Sequence, residues 1–239
     1  LYIRSFPTLT FMEKLPRNAG TPTSVDFANV VRKKNIGAHS ALGDLPRHVR
    51  PRLSSFTDAG PYLVPATETR MAWRKKLRQL GARQKVGFLW RTGLANKIYA
   101  HYFFDILDLR ALFLLPDAQF VNLQYDECEA DLQRAEQELG IDIYRPESID
   151  LRNDLDDLSA LIRELDVVVG PMTSVLAMAG AVGTRCIGMN IGLDWTSLGT
   201  GQQPWTPNMT VVYKGPDRNW KSAIEDVAAI VAAPPNSSV

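Results

Sequence analysis

Apolar and polar positions follow two different rhythms along the chain, and the change comes near residue 85. From there on, short apolar runs bounded by loops alternate with amphipathic stretches. Strands are predicted at 86–90, 119–123, 141–144, 166–170, 185–189 and 210–213, and helices at 103–115, 127–139, 155–165, 173–182 and 219–231. The helix at 155–165 carries the clearest stripe, with Leu155, Leu158, Ile162 and Leu165 on one face. Val167, Val168 and Val169 are β-branched and apolar on both faces, the pattern of a central parallel strand. This alternation predicts an α/β domain built on a doubly wound parallel sheet with right-handed crossovers.

Upstream the pattern is poorer. A helix is predicted at 67–80, capped by Thr67 and stopped at Gly81, with Trp73, Leu77 and Leu80 at helical spacing. Its other face carries Arg70, Arg74, Lys75 and Arg78, read as a solvated face. Before residue 65 only 8–12 reads as a strand, among Pro- and Arg-rich stretches that do not make a self-sufficient domain. The expected organisation is an incomplete domain at 1–66, a connecting helix at 67–84, a complete domain at 85–232 and a disordered tail at 233–239.

Composition narrows the classes. The chain has 239 residues, with Lys+Arg 27 against Asp+Glu 26 and net charge +1, which argues against a phosphate-backbone binder and hence against nucleic acid. Cys128 and Cys186 have no metal-ligand spacing, and no disulfide scaffold follows from two cysteines. No apolar stretch approaches the roughly 20 residues that span a bilayer. The first residue is Leu1 rather than Met, and no leader pattern follows it, so the chain is expected to be a piece of a longer protein.

In an open parallel sheet the chemistry sits beyond the carboxyl ends of the strands. The loop after the first strand, 91–97, holds Arg91, Thr92, Gly93 and Lys97: cations, a hydroxyl and a glycine suited to an anion. After the fourth strand, Gly170-Pro171-Met172-Thr173-Ser174 runs into a helix whose N-terminus can seat an anion; the alternative is plain capping by Thr173 or Ser174, and the place at the strand's carboxyl end favours the seat. After the fifth comes a long loop, 190–207, with Asp194, Trp195 and Trp205, of a length uncommon unless functional or disordered. Asp150, Asp154, Asp156 and Asp157 fit helix capping better than a metal site, and none is expected. His39, His48 and His101 form no visible triad. Neither G-x-G-x-x-G nor G-x-x-x-x-G-K-[ST] is present, so dinucleotide oxidoreductases and P-loop NTPases lose ground.

Six strings in one order then carry a resemblance: 86–93 (Val-Gly-Phe-Leu-Trp-Arg-Thr-Gly), 120–125 (Phe-Val-Asn-Leu-Gln-Tyr), 150–158, 165–174, 179–183 and 204–207 (Pro-Trp-Thr-Pro). Together they resemble the bacterial tetratricopeptide-repeat glycosyltransferases, distantly similar to O-linked N-acetylglucosamine transferase and to the heptosyltransferases. The resemblance implies a GT-B architecture, with a Rossmann-like donor-binding domain at 85–232 and a partial second Rossmann-like domain, the end of the acceptor side, at 1–66. It implies inverting, metal-independent sugar transfer from a nucleotide-diphosphate sugar to a protein or glycan acceptor, with no cofactor beyond that donor. A cytoplasmic location and tetratricopeptide repeats upstream of Leu1 go with it. By the same analogy Arg91, Thr92, Lys97, Gln124, Thr173, Ser174, Asp194 and Trp195 would hold the donor and its diphosphate, and His48 is the candidate general base. Two departures stand out: relatives carry Asp-Thr before the phosphate helix and a His one turn in, where this chain has Met172-Thr173 and Ala177. They motivate the competing expectation of a degenerate, non-catalytic transferase-like domain used for binding.

Overall fold

The structure, a computed structural model, describes residues 45–56, 60–92, 103–214 and 219–233. The chain divides between residues 57 and 58 into two compact units. The strand expected at 8–12 lies outside the described residues. In the smaller unit the described part is a five-residue helix α1 (Leu45–Val49) and a 3-10 turn, Leu53–Ser55. Arg50 ties them locally: its Nη1 donates to the Ser55 carbonyl at 2.8 Å and its guanidinium lies 4.9 Å from the Phe56 ring centroid.

The larger unit contains α2 (Thr67–Gln79), β1 (Gln84–Phe88), α3 (Arg110–Phe113), β2 (Ala118–Asn122), α4 (Glu129–Leu139), β3 (Ile143–Tyr144), α5 (Leu155–Arg163), β4 (Val167–Pro171), α6 (Ser174–Val182), β5 (Arg185–Asn190), β6 (Met209–Tyr213) and α7 (Lys221–Ala232). The six strands form one parallel sheet in the order β3-β2-β1-β4-β5-β6. β1 pairs Phe88 with Asn122 of β2 on one side and with Val169 of β4 on the other. The chain therefore winds outward from β1, returns, and winds the other way from β4. The predicted doubly wound α/β sheet is the one observed.

Both faces are covered, which is why the strands read as unbroken apolar runs. On one face Phe88, Phe120, Val167 and Val169 pack with Phe113 of α3, Leu132 of α4 and Val227 of α7. Phe88 and Phe113 meet edge to face, with centroids 5.0 Å apart. On the other face Val121 and Val168 meet Trp73 of α2, Leu161 of α5 and Leu176 of α6. Val167 and Val169 thus point one way and Val168 the other.

The predicted helix at 103–115 is shorter than its apolar content implies. Residues 103–105 belong to no helix, with Asp105 extended; the chain then makes a 3-10 turn at Ile106–Leu109 and only after it enters α3. Asp105 fixes that start reciprocally: its carboxylate accepts from the Leu107 N–H at 2.9 Å, and its own N–H donates to Asp108 Oδ2 at 2.9 Å. Thr67 does not cap α2 either; it is the first helical residue, after Ala66, and the cap has no side-chain bond.

α2 is anchored to α5 rather than presenting a wholly solvated basic face. Trp73 Nε1 donates to Asp157, and Lys76 Nζ stands 4.2 Å from the Trp73 ring centroid. Arg70 and Arg74 both pair with Glu164, at 2.8 and 2.6 Å, and the Glu164 side chain is only 7% exposed. Burial alone would push the Glu164 carboxyl up, but the hydrogen bonds from Arg74 and Arg70 outweigh it and hold the pKa below the ordinary glutamate range. The sign follows. A depressed folded-state pKa contributes stability above the unfolded pKa, and that contribution is lost as pH falls through the folded one. Glu164→Gln is expected to cost about 1–3 kcal/mol at neutral pH. The difference should shrink toward zero in acid, as urea midpoints measured across that range would report.

The segment before α2 belongs to the same unit. The N–H groups of Tyr62 and Leu63 both donate to the carbonyl of Ala181, near the end of α6, each at 3.0 Å. Gly183, with φ +81°, closes that helix; a Cβ there would stand 2.4 Å from Cγ of Pro61.

Candidate functional site

The winding direction reverses between β1 and β4, and the edge beyond their carboxyl ends is where an open α/β sheet binds ligands. β1 runs out into Leu89, Trp90, Arg91 and Thr92. Gln124, beyond β2 and only 1% exposed, fixes that corner: its Oε1 accepts from the N–H groups of both Trp90 and Arg91 at 3.2 Å. The Gln124 Nε2 is buried and has no hydrogen-bond partner.

Arg91 is turned toward protein carboxylates. Its Nε donates to Asp126 at 2.9 Å, Nη1 pairs with Asp131, and Nη2 donates to the Glu127 carbonyl at 2.9 Å. Burial opposes the charge, but the bonds to Asp126 and Asp131 outweigh it and raise the pKa. Arg134 extends the chain of charges from Asp131 to Asp105. Thr92 Oγ1 meets the Tyr125 hydroxyl at 3.0 Å. Lys97, together with His39 and His101, lies outside the described residues.

Across the reversal, β4 ends at Pro171 and α6 begins at Ser174. Thr173 occupies the cap position in extended backbone, φ −130° and ψ 174°, yet its hydroxyl makes no cap bond. The Thr173 Oγ1 is buried without a partner. An uncapped first turn keeps its N–H donors and the helix's partial positive charge available. Ser174 at the head of the turn is exposed, and so is Ala177. α6 can approach its neighbours because Gly180 faces Thr206 in the loop after β5; a Cβ there would stand 2.0 Å from Thr206 Cγ2. The small residues of α6 thus admit that loop as well as the sheet.

Beside this helix start lies a cleft of about 430 Å³, lined by Pro171, Met172, Met189, Asn190, Ile191 and Asp194 with Phe103, Gly192 and Leu193. Its polar walls are already committed to one another. Asp194 accepts from Asn190 Nδ2 at 2.9 Å, from the Thr196 N–H at 2.9 Å and hydroxyl at 2.5 Å, and from the Ser197 N–H at 3.3 Å. Asn190 Oδ1 accepts from the Ile191 N–H at 2.9 Å. Asp194 therefore caps a 3-10 turn, Trp195–Ser197, that holds Trp195 out at 79% exposure.

Of the residues picked out in the sequence, Arg91, Thr92 and Gln124 gather at the β1–β2 corner, Thr173 and Ser174 at the start of α6, and Asp194 in the cleft wall with Trp195 beside it. His48 is exposed on α1, in the other unit. Phe103 and Met189, which line the cleft, carry no signal in the sequence, because each reads as an ordinary apolar residue of a helix or strand. Among the described residues no group of His, Cys, Asp and Glu is placed to hold a metal ion, and no helix is long and apolar enough to cross a membrane. Burial pushes the Cys186 thiol up to about 12, and burial followed by the Asp126 charge raises Cys128.

No family model matches the chain. Protein FlbA of Caulobacter vibrioides (strain ATCC 19089 / CIP 103742 / CB 15) is 36% identical over 170 residues, which is 71% of this chain and 28% of FlbA. This chain thus spans little more than a quarter of that relative. Among solved structures, the glycosyl transferase family 9 protein from Veillonella parvula DSM 2008 superposes with a TM-score of 0.50 at 8% identity, over 70% of this chain and 46% of that one. The ADP-heptose lps heptosyltransferase II of E. coli gives a TM-score of 0.48 at 11% identity, over 72% and 53%. At such identities the likeness to the Veillonella protein is one of fold, a fold of the GT-B type.

Proposed function

We propose that the larger unit binds a nucleotide-diphosphate sugar and is the donor-binding part of a glycosyltransferase acting on a protein or glycan acceptor. The observation that carries this reading is the uncapped N-terminal turn of α6 at the reversal of the sheet, with an open cleft at its side. The fold shared with the Veillonella transferase supports it. In the transfer, the bond between the sugar's anomeric carbon and the diphosphate oxygen breaks, and its electron pair stays on the diphosphate. The acceptor oxygen bonds to that carbon from the opposite side, with inversion, and its proton passes to a base, for which His48 is the candidate. Donors fixed in advance around the leaving diphosphate would stabilise its growing charge without a bound cation. The backbone N–H of Ser174 and the side chains of Thr173 and Gln124 are proposed to supply them, while Arg91 acts mainly by holding the corner together. The repeats expected upstream, the bacterial and cytoplasmic setting and the absence of any further cofactor belong to the same proposal.

Titrating the chain with uridine, guanosine, cytidine and adenosine diphosphates tests it directly. One of them is expected to raise the melting temperature by several degrees, as saturating binding of order 100 times Kd stabilises by about 2.7 kcal/mol. No shift with any of the four, or with their sugar conjugates, overturns the reading. A second reading, a degenerate binding module, is favoured by the capture of Arg91 by Asp126 and Asp131. It predicts nucleotide binding, or none, with no sugar released or transferred by the longer protein.

A further inference from the structure

The loop after β5 exposes large apolar side chains within a few residues of one another: Leu193 at 62%, Trp195 at 79% and Leu198 at 40%. Exposure of this kind is costly and is tolerated singly; a cluster of it, beginning at Leu193 of the cleft wall, marks contact with something. The loop is also held firmly in that arrangement. Asp194 gives its whole carboxylate to the turn and to Asn190, and Leu198 adopts φ +48°, left-handed backbone that non-glycine residues seldom use. The indole is therefore presented, not left loose.

We infer that Trp195, flanked by Leu193, is the platform on which the ring of the transferred sugar lies. This rests on the donor-site reading above and assigns the sugar end of that donor. Three observations select the sugar over the base. The cleft adjoins the start of α6 through Pro171 and Met172, so a group placed there is bonded almost directly to a phosphate seated on α6; the base is a ribose further away. Asn190 and Asp194 have turned their hydrogen bonds inward, so the wall recognises shape and apolar surface, which a pyranose ring offers on its C–H face. Finally, Trp195 directly follows Asp194 of the cleft wall and is itself 79% exposed, and the sugar must stay reachable by an acceptor while the base need not. The hydroxyls at the ring's edge remain in water, avoiding the cost of burying them without partners.

The test compares the full chain with Trp195→Ala and Trp195→Phe by calorimetric titration, using the nucleoside diphosphate that binds and its hexose conjugate. Trp195→Ala should leave affinity for the diphosphate within about twofold and weaken the conjugate about three- to tenfold relative to it, with Trp195→Phe between. Equal weakening of both ligands overturns the assignment, and so does a change in neither; in both cases the donor site stands. A wild-type chain that binds neither nucleotide nor conjugate overturns the donor site itself and this assignment with it.

Discussion

Replacing Ser174 by aspartate is expected to move stability and binding in opposite directions. An acidic side chain in the first turn of a helix favours the dipole and can cap the free N–H groups, worth about 0.3–1 kcal/mol. Ser174 is exposed and Thr173 provides no side-chain cap, so the free protein should melt slightly higher. The same charge competes with a phosphate for those donors. Two like charges about 4 Å apart repel by roughly 4 kcal/mol at an effective dielectric near 20, so even half of that means tens-fold weaker nucleotide binding. Ser174→Ala, which keeps the backbone N–H, is the control and should bind almost normally. A Ser174→Asp protein that melts higher and still responds fully to nucleotide would place the phosphate elsewhere.

The second large effect is structural. Gly170 is the fourth residue of β4, and a Cβ built on it stands 2.4 and 2.7 Å from Cδ2 and Cγ of Leu89 and 3.0 Å from the Leu89 carbonyl oxygen. Leu89 cannot move far, since its N–H donates to the Val169 carbonyl at 3.1 Å and its side chain is fully buried. Gly170→Val is therefore expected to cost about 3 kcal/mol or more through overpacking. It should also disturb the corner where β1 and β4 end. Denaturant midpoints and nucleotide binding would both report it; a stable, binding-competent Gly170→Val protein would contradict the packing described.

How much of this is legible in the sequence depends on how local each cause is. β4 is written into three successive β-branched residues, and α5 into its leucine stripe, so both are found within a residue or two. The stretch 103–115 misleads because its apolar residues continue through a point where two aspartates, Asp105 and Asp108, decide the geometry. The strand order has no local signature at all; it follows from which crossover packs on which face. The site divides in the same way. Thr173 and Ser174 are legible because strand end and helix start are consecutive. Arg91 reads as a free cation because its captors, Asp126 and Asp131, lie 35 and 40 residues away. The cleft is illegible for the same reason: it joins β4, β5 and Phe103, segments distant in sequence whose apolar side chains look like core.

The double bond from Tyr62 and Leu63 to Ala181 has a practical corollary for dissecting the protein. A fragment begun at the first residue of α2 would strip both donors from that carbonyl and uncover the groove where Pro61 lies against Gly183. That loss falls at the far end of the helix whose opposite end is the proposed anion seat. Limited proteolysis should therefore release a nucleotide-responsive fragment only if the cut falls upstream of Pro61. A cut between Leu63 and Thr67 should yield a piece that still contains all six strands of the described sheet yet anchors α6 less firmly.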